Sequence, residues 1–222
     1  AGNDINLPDA VLRGHSYTGE GVIVAVLDTG LEIEHEDLQE NVIPQGSFNL
    51  INESTDPTNV CDTTGDHGTS VAAIIASRGW NGLGGHGVAP FASLKGFNIL
   101  TDALTNEGLM DALGAGTYAT DVDVVNQSFG LTLVGQQELG PDMEEQYAHG
   151  ATHQRDGKGI LYVKSAGNGF LNFDYAVEDA LAAGNCSRAN LLGLACQNAN
   201  MGPRNVLVEN LVVGALNAEG VK

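Results

Sequence analysis

Positively charged residues are scarce in this sequence. Nine Lys and Arg stand against 28 Asp and Glu in 222 residues, which gives a formal net charge of −19. Such a chain repels the phosphates of nucleic acids and the headgroups of anionic membranes, and it attracts cationic partners. We therefore expect no nucleic-acid partner and no membrane partner.

Long apolar runs are also missing. No stretch approaches the roughly 18 apolar residues that span a bilayer, and the first ten residues, AGNDINLPDA, lack the basic and apolar regions of a signal peptide. We expect a mature chain. With 42% hydrophobic and 17% charged residues, it can bury the core of one large domain or of two small ones.

Cysteine is rare, with three residues at positions 61, 186 and 196. A disulfide between Cys186 and Cys196 would close a loop and favours a secreted, extracellular or periplasmic protein. The odd number leaves at least one cysteine, such as Cys61, free or paired outside the chain. A zinc site is the alternative, but the CxxC and histidine spacings typical of zinc sites are absent.

The apolar segment GVIVAVLDTG at residues 21–30 predicts a fully buried strand that ends at a carboxylate, Asp28. An acidic residue in this position is either a turn former or a catalytic group. A catalytic role is favoured only if other residues of the sequence can act together with Asp28.

Strand and helix patterns alternate along the chain, which predicts an α/β fold with a doubly wound, mainly parallel sheet and helices on both faces. Strands are expected at 22–27, near Phe48, and at 93–100, 122–126, 160–164 and 211–215. Helices are expected at 67–77, 107–120 and 141–156, with a short one near 9–12.

Three polar residues lie at the ends of predicted strands or at the start of a helix: Asp28, His67 and Asn168. Each alone is weak evidence, since histidines often begin helices and Asn between glycines tolerates positive φ. Together they fit one mechanism. A buried Asp fixes the tautomer of a His, the His takes a proton from a serine, and the Asn amide donates to an oxyanion.

Four segments around these residues follow one another along the chain: AVLDTGLEIEHEDL, DHGTSVAAIIA, VVNQSFG and SAGNG. They resemble the aspartate motif, the histidine motif, the substrate-binding strand and the oxyanion-hole turn of the subtilisin-like serine proteases. Within that family, HEDL and GATHQRDGKGILYVKSAGNG are most similar to the kexin and proprotein-convertase branch. The resemblance implies a serine endopeptidase that hydrolyses peptide bonds in extended polypeptides. It implies that Asp28 orients His67, that His67 is the general base, and that Asn168 stabilises the oxyanion.

The resemblance also implies two binding sites. Ser128, Phe129 and Gly130 would pair with a peptide or protein substrate as an added strand. A structural calcium ion would be held by the side chains of Asp37 and Asn81 and by the carbonyl oxygens of Arg78, Leu83 and Gly85. Calcium prefers hard oxygen ligands, which a glycine-rich turn can supply, while a tight turn without a metal is the alternative.

The family's nucleophile, a serine in a Gly-Thr-Ser motif, has no counterpart after Asn168. The only Gly-Thr-Ser ends at Ser70, three residues after His67 on one helix, and would point away from the imidazole. Residues 1–222 are therefore interpreted as the N-terminal part of one subtilisin-like catalytic domain, C-terminally incomplete and inactive alone. Its expected partners are the missing segment with the serine and a propeptide or protein inhibitor.

Other interpretations remain open from the sequence. Asp28-Thr29-Gly30 also resembles an aspartic protease motif, although no second copy is present. Gly82, Gly84 and Gly87 form a G-x-G-x-x-G that could cradle a dinucleotide phosphate, but it follows a helix rather than a strand.

Two further alternatives do not depend on those motifs. His149 and His153, with Glu145 before them, are spaced to hold a metal on one helix face, or simply form a solvated face. The chain could also be a pseudoprotease or a complementing fragment that binds peptide without cutting it. The resemblance to the kexin branch implies acidic pocket residues that recognise basic side chains before the cleaved bond. The segment around Cys196 has no acidic residue, so specificity for dibasic sites is not expected.

Overall fold

A computed structural model describes residues 17–59, 66–100, 104–130, 138–167 and 202–215. These residues form a six-stranded sheet in the order β2-β3-β1-β4-β5-β6, and all neighbouring strands run parallel. The strands are β1 Ile23–Asp28, β2 Phe48–Asn49, β3 Ser93–Asn98, β4 Val124–Gln127, β5 Leu161–Ser165 and β6 Asn210–Val213.

Three helical segments accompany the described strands. Helix α1 spans His67–Ala76, α2 spans Asn106–Met110 and continues into a π-helical turn at Asp111–Ala115, and α3 spans Pro141–Gly157 with non-helical dihedral angles from Gln154 to Asp156. A 3₁₀ turn, Pro203–Val206, precedes β6. Within the described ranges, none of the helices is both long and apolar enough to cross a membrane.

Both faces of the sheet are covered, because side chains of β1 alternate between two cores. Val24 and Val26 pack with Ala72 and Ala76 of α1 on one face. Ala25 and Leu27 pack on the other face, together with buried residues of α2 and α3: Leu109, Met143 and Tyr147. The expected doubly wound α/β architecture is confirmed.

Five of the six predicted strands match within about two residues at either end, and the strand near Phe48 is the short β2. The helix expected at 107–120 is wrong beyond residue 115, where turns follow instead. Gly114 has a φ of 116°, which a right-handed helix cannot contain. The short helix expected near 9–12 lies outside the described residues.

The strand order creates a switch point between β1 and β4. The chain leaves β1 toward β2 and β3 on one side of the sheet, whereas β4 leads to β5 and β6 on the other. Loops that depart in opposite directions leave a crevice at the carboxyl ends of the two strands, which is where open parallel sheets bind ligands. Asp28 and residues 128–130 lie at those two ends.

Gln127 ties the end of β4 to the helical layer. It is fully buried, and its Oε1 accepts a hydrogen bond of 2.6 Å from the hydroxyl of Tyr147 on α3. Its Nε2 donates to Oδ1 of Asn210 at 3.3 Å on β6. One amide therefore links β4, α3 and β6 just before the residues expected to bind substrate.

Replacing Tyr147 with Phe should lower the free energy of unfolding by about 1–3 kcal/mol, because the buried oxygen of Gln127 loses its donor. Urea unfolding followed by circular dichroism measures the change. Tyr17→Phe is the matched control, since Tyr17 is 84% exposed and should show no effect. Equal stabilities of Tyr147→Phe and Tyr17→Phe would contradict the role given to this hydrogen bond.

Candidate active site

Helix α1 begins directly against the turn that follows β1. The backbone N–H of Gly68 donates to Thr29 Oγ1 at 3.1 Å, and the N–H of Glu32 donates to Thr69 Oγ1 at 3.0 Å. A side chain at position 68 would overlap the carbonyl oxygen of Gly30 and would place its Cβ 2.9 Å from Cβ of Asp28. The close approach of helix and strand therefore requires glycine at this position.

This approach brings His67 onto Asp28. Nδ1 of His67 lies 2.7 Å from Oδ1 of Asp28, which is fully buried, while the imidazole is 53% exposed. Oδ1 of Asp28 also accepts the N–H of Thr29 at 2.7 Å. Because a carboxylate accepts hydrogen bonds, Nδ1 is the nitrogen that donates to it, and in the neutral imidazole Nε2 then has a free lone pair. The pair can therefore take a proton from a third group and stabilise the resulting imidazolium.

Residues 128–130 follow β4 on the neighbouring side of the crevice. Oγ of Ser128 accepts from Asn126 Nδ2 at 2.9 Å, and the carbonyl of Phe129 accepts from Lys164 Nζ at 2.8 Å. Within the described part of the chain, the backbone groups of Ser128 and Gly130 make no hydrogen bond. Their unpaired backbone groups suit pairing with an extended peptide.

Asn168 lies outside the described residues, as do Cys61, Cys186 and Cys196. The described chain runs up to Gly167, just after β5. Ala166 still pairs with β6 through its N–H and the carbonyl of Val213, at 2.8 Å. Because β5 is parallel to β4 and adjacent to it, its carboxyl end reaches the same edge of the sheet as residues 128–130.

The residues expected to bind calcium come together around Asp37. Its Oδ2 accepts the N–H of Gly85 at 2.7 Å, and its Oδ1 accepts from Asn81 Nδ2 at 3.3 Å. Asn81 Oδ1 in turn accepts the N–H of Leu83 at 3.0 Å, and the N–H of Arg78 donates to the carbonyl of Asp37 at 2.8 Å. The loop at 81–85 thus folds over one buried carboxylate.

The charge balance at Asp37 fits a cation. Its carboxylate is only 4% exposed and has no ionic partner among the described residues, since the Arg78 guanidinium binds Glu40 and Asn41 instead. However, Asn81 presents nitrogen rather than oxygen to Asp37, so this amide has to turn over to ligate a metal. No cluster of three His, Cys, Asp or Glu suited to a metal occurs in the described ranges, and a cation here would depend on amide and carbonyl oxygens.

The structure weakens several alternatives. Ser70 is exposed on α1 and makes no hydrogen bond to His67. The Gly82-x-Gly84 turn already gives an N–H, that of Gly85, to a carboxylate, which would repel a phosphate. The rings of His149 and His153 stack at 4.9 Å on α3, and no third His, Cys, Asp or Glu among the described residues joins them as a metal ligand.

Sequence reasoning missed Lys164 and the threonines that dock α1. Lys164 is 4% exposed, and burial, with a smaller contribution from Arg204, lowers the pKa of Lys164 to about 8. The detectable signal was a single charge within the apolar strand ILYVKSAG. Thr29 and Thr69 carried no such signal, because threonine is common in turns.

Comparison with known proteins agrees with this geometry. The profile of the subtilase family, Peptidase_S8, matches residues 19–220, so the chain belongs to the subtilase family. An extracellular serine protease of Aeromonas sobria is 40% identical over 228 residues, covering 100% of this chain and 34% of that protein. Kexin of Saccharomyces cerevisiae is 35% identical over 171 residues, covering 76% of this chain and 20% of kexin.

A solved structure supports the fold. The Aeromonas sobria serine protease, crystallised with the chaperone ORF2, superposes with a TM-score of 0.80 and 35% identity over 100% of this chain and 36% of that one. The chain thus spans about a third of the length of these Aeromonas relatives. The α/β subtilase fold and its resemblance to kexin are confirmed, and an all-β aspartic protease fold is excluded.

The lowered pKa of Lys164 predicts a pH dependence of stability. Its pKa is about 8 when folded and 10.5 ordinarily, so between these values the unfolded chain binds more protons and stability rises with pH. Below about pH 8 this dependence disappears. Urea unfolding at pH 7, 8.5 and 9.5 should show the wild type gaining stability relative to Lys164→Met as pH rises.

The exposed Lys158 provides the control, because Lys158→Met makes the same charge change at the surface, directly after α3. The difference between the wild type and Lys158→Met should not vary with pH over this range. A constant difference between the wild type and Lys164→Met would contradict the lowered pKa.

Proposed function

We propose that this chain carries the acid–base half of a serine endopeptidase site that hydrolyses extended polypeptides. The observation that supports this most is the 2.7 Å contact between buried Asp28 and half-exposed His67 at the switch point of the sheet. Asp28 holds the imidazole with Nδ1 protonated, and Nε2 of His67 acts as general base toward a serine hydroxyl. The protonated His67 then gives its proton to the leaving amine.

The remaining parts of the reaction are assigned to the edges of the crevice. Residues 128–130 pair with the substrate backbone, and the amide of Asn168 donates to the oxyanion of the tetrahedral intermediate. The 222 residues present no Gly-Thr-Ser segment after Asn168, so the nucleophile in this proposal comes from outside them. The 222 residues alone are therefore expected to be inactive.

A serine-directed fluorophosphonate should label the protein purified from its natural source. It should not label the 222 residues alone. Asp28→Asn should lower kcat by about 10⁴-fold, because it removes the acceptor that fixes the His67 tautomer. Labelling is read by intact mass, and kcat by hydrolysis of a peptide p-nitroanilide. Asp142→Asn, an exposed change on α3, is the control and should leave both unchanged.

A second candidate function is peptide binding without cleavage, favoured by the absence of a nucleophile motif from these residues. A natural protein that is folded but takes up no fluorophosphonate would overturn the protease proposal. Retained binding of a peptide by that protein would then favour the pseudoprotease. Labelling at a serine within the 222 residues would contradict the placement of the nucleophile.

We also propose that calcium occupies the loop around Asp37. The supporting observation is the buried carboxylate without an ionic partner in the described chain, next to three backbone carbonyls that accept no hydrogen bond there: those of Arg78, Leu83 and Gly85. Bound calcium would supply the missing positive charge and fix the loop that joins α1 to β3.

Millimolar calcium should raise the melting temperature relative to a chelator. At a concentration 100 times the dissociation constant the gain is about 2.7 kcal/mol, or roughly 5–10 °C for a domain of this size. Asp37→Asn keeps the hydrogen-bonding shape but removes the charge, so it should abolish the calcium-dependent part of the shift. Differential scanning calorimetry measures both, with Asp142→Asn as control, and a melting temperature indifferent to calcium would overturn this site.

We propose the location of the enzyme and its partners from its relatives and its net charge. The Aeromonas sobria relative is named as extracellular and was crystallised with a chaperone, so we infer secretion and a protein partner of the propeptide, inhibitor or chaperone kind. The net charge of −19 favours encounter with cationic peptides.

A further inference from the structure

Two lysines of this acidic protein are equally buried, and their partners differ. Lys95 on β3 is 4% exposed, and its Nζ lies 2.6 Å from a carboxylate oxygen of Asp121. Lys164 on β5 is also 4% exposed, but within the described chain it contacts no carboxylate. Its Nζ donates to the carbonyls of Phe129 at 2.8 Å and Ser165 at 2.9 Å.

A buried ammonium group held only by neutral carbonyls is a costly arrangement. Lys95 shows that this fold can pair a buried lysine with a counter-charge, and an apolar side chain of similar length could fill the position of Lys164. The energetic cost therefore suggests a use for the ammonium group other than stability.

The contacts of Lys164 indicate that use. Lys164 lies opposite Gln127 in the β4–β5 register, and its side chain reaches past the end of β4 to the second residue beyond it, Phe129. A second cation meets the same residue, because the Arg204 guanidinium lies 5.8 Å from the centre of the Phe129 ring. Two of the nine basic residues in the chain thus converge on one residue of the segment expected to bind substrate.

We propose that Lys164 is a positioning residue that holds residues 128–130 in the conformation that pairs with a peptide backbone. Its ammonium group anchors the carbonyl of Phe129, while the backbone groups of Ser128 and Gly130 on either side keep no partner in the described chain. Anchoring in advance reduces the ordering cost that an extended substrate would otherwise meet on binding. This inference rests on the proposed protease function for its kinetic consequence.

The test compares substrates that do and do not need the segment. Lys164→Met should raise KM at least about 10-fold for the best tetrapeptide p-nitroanilide found in a mixed library, with kcat little changed. Hydrolysis of p-nitrophenyl acetate, which is too short to pair with residues 128–130, and the rate of fluorophosphonate labelling should stay within about twofold. Lys164→Arg, which keeps a cationic donor, should recover part of the lost affinity, and Lys158→Met should behave as wild type.

A merely structural role predicts a different pattern. In that case Lys164→Met would slow tetrapeptide, ester and fluorophosphonate reactions together, and that result would overturn the proposal. Equal KM values for Lys164→Met and wild type would overturn it as well. The urea unfolding midpoint of each variant at pH 7 shows whether Lys164→Met is misfolded. If it is, the KM and the ester and fluorophosphonate rates of Lys164→Arg are compared with those of Lys158→Met, and the same two patterns decide.

A readout independent of catalysis separates this proposal from the protease proposal. Hydrogen–deuterium exchange of the amides at 128–130 should become at least about 10-fold faster in Lys164→Met, with exchange in β1 unchanged. If the wild type neither labels nor cleaves, the protease function fails, and the exchange experiment still decides the role of Lys164. Unaltered exchange at 128–130 would overturn it.

Discussion

The pairing of the Asp28 carboxylate with the His67 imidazole depends on how closely one helix lies against the end of one strand. Hydrogen bonds from Gly68 to Thr29 and from Glu32 to Thr69 hold that distance, and only a residue without a side chain fits at position 68. The strand itself is fixed because β1 is central in the sheet, with apolar side chains packed on both faces. The contact of these two side chains thus rests on the burial of the entire sheet.

Three buried polar side chains lie at the carboxyl ends of neighbouring strands in the sheet. Asp28 is fully buried, Gln127 joins β4 to α3 and β6, and Lys164 lies under the segment that follows β4. Each of these groups is desolvated, so each depends on a specific partner to offset the loss of water. This edge of the sheet therefore tolerates little change, whereas the exposed first residues of α3, such as Asp142, are freer to vary.

Much of the sheet and part of the candidate site were predictable from the sequence, for reasons that particular residues show. Continuous apolar runs such as residues 22–27 predicted the buried strands, and the positions of Asp28 and His67 followed from the strand end and the helix start. The end of α2 was not predictable from periodicity, because the conformation of Gly114 depends on tertiary packing. The burial of Lys164 and its contact with Phe129 were also missed, since a lysine in a strand is ordinarily a surface residue and only the fold shows this contact.

The parallel order of the strands also has a consequence for how the chain folds. β1 pairs with β3, where Ile23 meets Ser93, and with β4, where Val24 meets Val124, so the central strand gains both neighbours only after long loops close. Contacts between residues so far apart in sequence slow folding and leave apolar strand edges exposed in the meantime. The same topology that brings Asp28 next to residues 128–130 therefore leaves the central strand without its neighbours until segments far away in the sequence have arrived.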